Sequence, residues 1–359
     1  MARQSKAEPA YLTIYKQLRR QIEKGDYPCG AKLPSKRVTA DRYRVSVITV
    51  EHAYAVLEDE GYVEARQRRG YFVIYREGDH FSVGEPAPLP AAPRPQAAED
   101  LPFSVYARTV RRVLTDRAQE VLVKSPPVGC EALRRAIARY LSRSRGMAVD
   151  AGQVVIGSGS EYLYGLILQM LGPCRRYAIE DPTYEKIERV YAANGIAPRR
   201  LPLGVHGIRS RALAECDADV LQVTPYRSFP TGVTATPAKK REYLRWAEQG
   251  ERWLIEDDFE SEFSPTVRPV DTLYALSGGE RVIYLNTFSK TVAPAVRVGY
   301  MVLPLPLVET FEKTVGFYSC TVPALEQYVL AALIDSGDFE RHINRVRRRR
   351  QAEKPDPVT

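Results

Sequence analysis

The sequence predicts an α/β protein in which a small basic helical unit with a β-hairpin precedes a larger unit built on a mainly parallel sheet. Three observations carry this. In the larger part, short apolar runs that end in polar residues (QVVIGSGS, RRYAIEDPTY, DVLQVTP, WLIEDDF, RVIYLNTF) alternate with helical patterns, and strands alternating with helices make parallel sheets covered on both faces. Between 85 and 102 the chain reads EPAPLPAAPRPQAAEDLP, whose six prolines exclude a helix or ladder strand and predict an extended, semi-stiff linker. Charge is also lopsided. Residues 1–76 hold fifteen Lys/Arg against nine Asp/Glu and residues 341–359 seven against two, in a chain of net charge +8. A basic unit ahead of a slightly acidic body points to nucleic acid. The expected division is a head at 1–76, a linker at 77–102 and a body at 103–359.

Bulk composition excludes several classes. A length of 359 residues with 44% hydrophobic and 27% charged residues suits a globular protein of more than one domain. No apolar run is long enough to span a bilayer, and MARQSKAEPA is no signal peptide, so no membrane partner is expected. Cys29, Cys130, Cys174, Cys216 and Cys320 are scattered and odd in number, which supports neither a disulfide framework nor a metal site. The expected compartment is the cytoplasm. His52, His80, His206 and His342 are isolated and read as surface residues.

In the head, YLTIYKQLRRQIEKG is an amphipathic helix stopped at Gly25. A second helix follows from about Pro34, and after a short turn at Arg44–Val45 a third runs from Ser46 to Glu60. Val50, Ala53, Tyr54 and Leu57 stand at i, i+3, i+4 and i+7, one buried stripe. Ser46 lies where an N-cap is wanted. Beyond Gly61 two short β segments flank the basic turn RQRRG. Two helices in a tight turn, then a basic hairpin, make a winged helix-turn-helix. Through Leu33-Pro34-Ser35-Lys36-Arg37, Val45-Ser46, Thr49-Val50, Glu60-Gly61-Tyr62 and Arg69-Gly70-Tyr71-Phe72-Val73, this segment resembles the GntR-type DNA-binding domain. The resemblance implies that Arg37, Ser46, Thr49 and the wing residues Arg69 and Gly70 face operator DNA. Val47 stands where that family usually has arginine, which removes a guanine reader and leaves a side chain able to pack on a thymine methyl.

In the body, EALRRAIARYLSRSRG (131–146) is an amphipathic helix ending at Gly146. Ligands of parallel sheets bind at the carboxyl ends of the strands, so the polar residues closing each run matter most. VVIGSGSEYL puts small residues at a strand-to-helix junction, where free N–H groups and the helix dipole suit a phosphate. IEDPTY ends a strand with a ring, LIEDDF with two carboxylates and TPYRSFPTG with a turn. LNTFSKTVAPAVRVGYMV sets a lysine, and seven residues later an arginine, among apolar neighbours. A lysine nucleophile needs a neutral amine, which desolvation or nearby positive charge supplies. Phosphate cradle, ring, carboxylate and lysine together describe a pyridoxal phosphate site. In this order they resemble the large domain of fold-type I PLP-dependent aminotransferases. From about residue 10 to residue 350 the chain resembles the MocR branch of GntR regulators, in which a winged helix is fused to an aminotransferase-like body.

That resemblance implies that Lys290 in TFSK carries pyridoxal 5'-phosphate as an aldimine. It further implies that Gly159, Ser160, Thr287, Ser289 and Arg297 hold the phosphate, that Tyr184 stacks on the pyridine ring and that Asp257 pairs with the ring nitrogen. The implied protein is a homodimeric transcriptional regulator that senses pyridoxal phosphate or a small amino compound. The rival is a working aminotransferase with an accessory DNA-binding head. Three departures bear on the chemistry, and the first and third weigh against turnover. Phe259 replaces a tyrosine whose hydroxyl bonds the cofactor. Glu161 replaces a glutamine beside the phosphate, which a carboxylate repels unless it points away. After FERHINRVRRRR the sequence ends at QAEKPDPVT, without the small C-terminal domain that grips a substrate carboxylate in the family, so a truncated body is expected. RHINRVRRRR reads as the charged face of a helix rather than as a separate nucleic-acid patch.

Overall fold

The computed structural model describes residues 9–67, 69–76, 101–264 and 270–352. All but the last two residues of the expected linker lie outside the described residues. The chain divides into two compact units, Met1–Arg94 and Pro95–Thr359.

The first unit comprises α1 (Ala10–Glu23), α2 (Lys36–Tyr43), α3 (Val47–Asp59) and a hairpin of β1 (Val63–Arg66) and β2 (Gly70–Val73). Ile14, Leu18 and Ile22 of α1 pack with Val50, Ala53, Tyr54 and Leu57 of α3 and with Val63 and Val73 of the hairpin, so the anticipated stripe is the core. Helix α2 begins later than the sequence reading placed it. Ser35 stands outside as N-cap, its hydroxyl accepting from the Val38 N–H at 3.3 Å, while the Pro34 carbonyl accepts from the Tyr54 hydroxyl at 2.9 Å. Helix α3 begins where expected, with the Ser46 hydroxyl accepting from the Thr49 N–H at 3.1 Å. Arg44 closes the intervening turn at φ 55°. The wing pairs Val63 with Val73 through to Arg66 with Gly70.

The second unit is an eight-stranded sheet flanked by helices. Its strands are β3 (Val154–Gly157), β4 (Tyr177–Asp181), β5 (Arg199–Gly204), β6 (Gly207–Ile208), β7 (Val220–Val223), β8 (Trp253–Asp257), β9 (Val282–Thr287) and β10 (Gly299–Val302). They lie in the order β3-β10-β9-β8-β7-β4-β5-β6. Strands β5, β4, β7, β8 and β9 run parallel; β10 is antiparallel to both β9 and β3, and β6 to β5. The helices are α4 (Phe103–Asp116), α5 (Glu131–Arg145), α6 (Ser160–Leu171), α7 (Glu185–Ala193), α8 (Ser210–Ala214), α9 (Pro237–Glu248), α10 (Leu273–Leu276), α11 (Phe288–Thr291), α12 (Leu305–Thr314), α13 (Ala324–Asp335) and α14 (Asp338–Ala352).

Alternate strand residues feed two apolar layers, as the two-residue period requires. Ile156, Leu221, Leu254, Tyr284 and Tyr300 pack with residues of α5, α9, α13 and α14. Val155, Ile179, Ile255, Leu285 and Met301 pack with residues of α6, α7 and α12. Burial on both faces explains why the strands read as continuous apolar runs. No helix among the described residues is long and apolar enough to cross a membrane.

One surface assignment is corrected here. RHINRVRRRR lies in α14, whose buried stripe is Phe339, His342, Ile343 and Val346. His342 is therefore inside, with Arg345 Nη2 2.7 Å from its Nδ1 and the Phe263 ring edge-on at 6.3 Å. His52, by contrast, is exposed and stacks on Tyr11 at 4.0 Å, and His206 is exposed. His80 lies outside the described residues.

Candidate functional site

At the carboxyl edge of the sheet the chain encloses a cavity of about 290 Å³. Ser160, Tyr184, Asp257, Thr287, Ser289, Lys290 and Arg297, all singled out from sequence, line it together with Glu161, Tyr164, Lys186, Thr224, Phe229 and Phe259. Topology produces the convergence. β4, β7, β8 and β9 end on this edge, α6 begins here after β3, and the antiparallel β10 brings Arg297 here because it starts where its neighbours finish.

Gly159, the N-cap of α6, holds φ 101°, and a Cβ there would stand 2.9 Å from Arg297 Nη2. The φ of 101° is what favours glycine here, since the guanidinium is the far end of a side chain that could move aside. Thr287 caps the single-turn helix α11: its Oγ1 accepts from the Ser289 N–H at 3.2 Å and donates to the Val298 carbonyl at 3.2 Å. The Ser289 hydroxyl donates to the Val296 carbonyl at 2.8 Å. The Thr287 hydroxyl also has the Ser289 oxygen at 3.2 Å, and together these bonds staple the Lys290 turn to the segment that carries Arg297. Ser160, the first amides of α6 and Arg297 offer donors to an anion. Lys290 and Arg297 are exposed although their sequence neighbours are apolar, because Val292, Val296 and Val298 take the inward positions.

Asp257, ending β8, is buried at 6% exposure, and its partner at Oδ2 is the neutral phenol of Tyr164. Burial pushes its carboxyl up to about 6, despite the Tyr164 hydrogen bond that pulls the other way. A buried carboxylate facing a cavity, with a phenol rather than a cation beside it, suits a ligand that brings a positive N–H. Tyr184 meets Phe229 edge-on at 5.8 Å, forming one wall of the cavity. These features fit pyridoxal phosphate. Tyr164, Lys186, Thr224 and Phe229 were not identified from sequence, and only the apolar character of α6 hinted that a tyrosine there would be buried.

Behind Asp257 the acid chemistry continues. Burial pushes Glu180 up to about 8, although Ser228 donates to it at 2.6 Å. Burial and then the Asp258 charge push Glu256 up to about 7, although the Leu273 and Tyr274 N–H groups donate to it at 2.7 and 2.9 Å. Each folded value lies above the ordinary 4.5, so the folded state holds these protons more tightly than the unfolded chain. Their stabilising contribution is complete below that ordinary value and is lost as pH rises towards 7–8. Carboxylates held low by arginines, such as Asp219 and Asp338, lose their contribution only below this window. The ligand-free protein is therefore expected to melt several degrees higher at pH 6 than at pH 8. A scan showing a flat or rising melting temperature from pH 6 to pH 8 contradicts that assignment.

In the head, Arg37 is exposed on α2, Ser46 and Thr49 stand at the start of α3 with their hydroxyl oxygens 2.8 Å apart, and Arg69 and Gly70 form the exposed wing turn. Gly70 holds φ 105°, and a Cβ there would come within 3.0 Å of Lys32 Cε. Val47 and Ile48 are 42% and 76% exposed at the first turn of α3. Ile48 was not singled out from sequence. With Val47 it gives the tip of the helix an apolar face suited to thymine methyl groups.

Comparison with known proteins assigns both units. Residues 96–354 match the aminotransferase class I and II family, and residues 10–73 match the gntR family of bacterial regulatory proteins. The chain is 32% identical to the uncharacterised HTH-type transcriptional regulator YdeL of Bacillus subtilis, the match covering 95% of this chain and 76% of that one. It is 29% identical to the probable rhizopine catabolism regulatory protein MocR of Rhizobium meliloti, covering 95% and 74%. Among solved structures, the multiple substrate aminotransferase of Thermococcus profundus superposes with a TM-score of 0.63 at 23% identity. That likeness covers 69% of this chain and 64% of the aminotransferase, less than two thirds of its length, and it concerns the fold alone.

Proposed function

The chain belongs to the MocR-type branch of the gntR-family regulators, in which a DNA-binding head is joined to an aminotransferase class I and II body, and on that premise we propose that it regulates transcription by binding operator DNA through the head and pyridoxal 5'-phosphate through Lys290 of the body. One observation carries the reading. Lys290, Asp257, Tyr184 and Arg297 converge on one cavity in a chain whose other unit presents a recognition helix and a basic wing.

When bound, the cofactor supplies an aldehyde that condenses with an amine and a ring that withdraws electrons. The chain's own residues do the rest. Lys290 would offer the amine, Asp257 would accept from a positive ring N–H, and Tyr184 and Phe229 would wall the ring. Ser160, the first amides of α6 and Arg297 receive the phosphate. Phe259 gives no hydroxyl to the ring's phenolic oxygen, which argues against aminotransferase turnover as the main role. The effector is pyridoxal phosphate itself or a small amino compound that displaces Lys290 from it. A homodimer would present two heads to paired half-sites, and the effector acts by favouring one arrangement over another.

The test is an electrophoretic shift on the DNA flanking its own gene, at two salt concentrations, with and without pyridoxal phosphate and amines. Binding is expected to weaken steeply with salt, because phosphate contacts release counterions, and to change when the cofactor is added. Operator affinity that is the same in every ligand condition would sink the sensing role. No salt-dependent shift on any fragment would sink the operator role.

A further inference from the structure

The carboxylate of Glu161 spans the mouth of the cavity. Its Oε2 lies 2.9 Å from Arg297 Nη2 and its Oε1 lies 3.0 Å from Lys186 Nζ. These three residues come from distant places in the sequence: the second position of α6, the second position of α7 and the residue two before β10. One side chain therefore ties together the ends of three strands. It also sits over the Gly159 turn, where a Cβ would stand 2.9 Å from Arg297 Nη2 and 3.5 Å from Glu161 Oε2.

A carboxylate in this position uses the features that would receive a phosphate: a guanidinium, a glycine turn and the positive end of a helix. Partial burial works against its charge. The Lys186 hydrogen bond, its own backbone N–H and the Arg297 charge outweigh that effect and hold its carboxyl below the ordinary value. At neutral pH the cradle thus already contains an anion of the protein's own. An arriving phosphate monoester either shares Arg297 with a like charge at close range or drives Glu161 off it. Lys186, 3.0 Å from the other oxygen, can keep hold of Glu161 as Arg297 lets go.

We propose that Glu161 is an internal counter-anion that the phosphate of pyridoxal phosphate must displace from Arg297, so that it sets the concentration at which the body fills. This rests on the cofactor reading above. The ion pair is partly exposed, and such pairs contribute little to stability, so releasing it is affordable. Its effect falls on ligand threshold, tuning the protein to respond to abundant rather than trace cofactor.

The experiment is titration of the wild-type full chain, Glu161→Gln and Glu161→Ala with pyridoxal phosphate and, separately, with pyridoxal, which has the same ring and aldehyde but no phosphate. Binding is read by equilibrium dialysis and absorption, beside thermal melts that establish folding. Both variants are expected to bind pyridoxal phosphate about tenfold more tightly than wild type, the scale of one removed like charge, with pyridoxal affinity unchanged. Unchanged or weaker pyridoxal phosphate affinity in the two folded variants overturns the proposal, as does an equal gain for pyridoxal. If no protein, wild type included, binds pyridoxal phosphate, the cofactor reading itself fails and this proposal falls with it.

Discussion

Lys290→Ala is expected to abolish the near-ultraviolet and visible band that covalently attached pyridoxal phosphate gives the purified protein. It should also weaken retention of the cofactor by about two orders of magnitude or more, which is ~2.7 kcal/mol. Two amines line the cavity, those of Lys290 and Lys186. Lys186 is engaged with Glu161 at 3.0 Å and lies with its ammonium 5.9 Å from the Tyr184 ring centroid. Lys290 projects from the one-turn helix α11, which is clamped by Thr287 and Ser289 to the segment bearing Arg297. Lys186→Met should keep the band. Retention of the band in Lys290→Ala with loss in Lys186→Met would move the covalent handle to α7.

Arg145→Met should destabilise the body by about 3–5 kcal/mol, the usual cost of stripping a buried charge network of one partner. The Arg145 side chain is 1% exposed at the end of α5, with Nη2 3.4 Å from Asp258 Oδ2 and 3.7 Å from Glu262 Oε1, and it donates to the Ser261 hydroxyl. Tyr284 donates to Asp258 at 2.8 Å and Asn286 to Glu262 at 2.6 Å, but both are neutral. Methionine fills much of the volume and supplies no charge, leaving two buried carboxylates to repel each other. Burial already pushes Glu262 up to about 7, with Arg145 opposing, so the loss should be larger at pH 8 than at pH 6. Urea denaturation of both proteins at the two pH values measures it. A deficit under about 1 kcal/mol at pH 8 would show that water or rearrangement already compensates the pair. Arg145→Lys should recover only part of the loss, because one ammonium cannot reproduce the planar fork.

Much of the site was legible because its residues close strands, and strand ends announce themselves as an apolar run meeting a polar residue. Lys290, Asp257 and Tyr184 were found that way, Arg297 by its place between two apolar runs after the lysine, and Ser46 by its place before an amphipathic helix. Tyr164 was not, because a tyrosine on an apolar helix looks like core until a carboxylate from another strand is seen to accept from it. Lys186 looked like an ordinary helix lysine, and its importance depends on Glu161, 25 positions earlier in sequence. Thr287 and Ser289 were assigned to the phosphate by resemblance, and their bonds to the Val298 and Val296 carbonyls could not be read because those acceptors lie on a different segment. His342 is the instructive miss. Its stripe with Phe339, Ile343 and Val346 was present in the sequence at helical spacing, but the arginines around it masked the pattern.

Strand order has a temporal consequence. Among the described residues, β3 is the first strand of the body to leave the ribosome, yet within the sheet it pairs with β10 alone, and β10 is the last of the described strands. The turn at Gly159 and the guanidinium of Arg297 ride on these two strands, so the cradle cannot close until the chain has been synthesised through β10. Non-local pairings of this kind are late events in folding. The head has its own apolar core, made entirely from residues that emerge before the body begins. If the body senses an effector as proposed, the nascent protein acquires its grip on a gene before it can take instruction about whether to hold on.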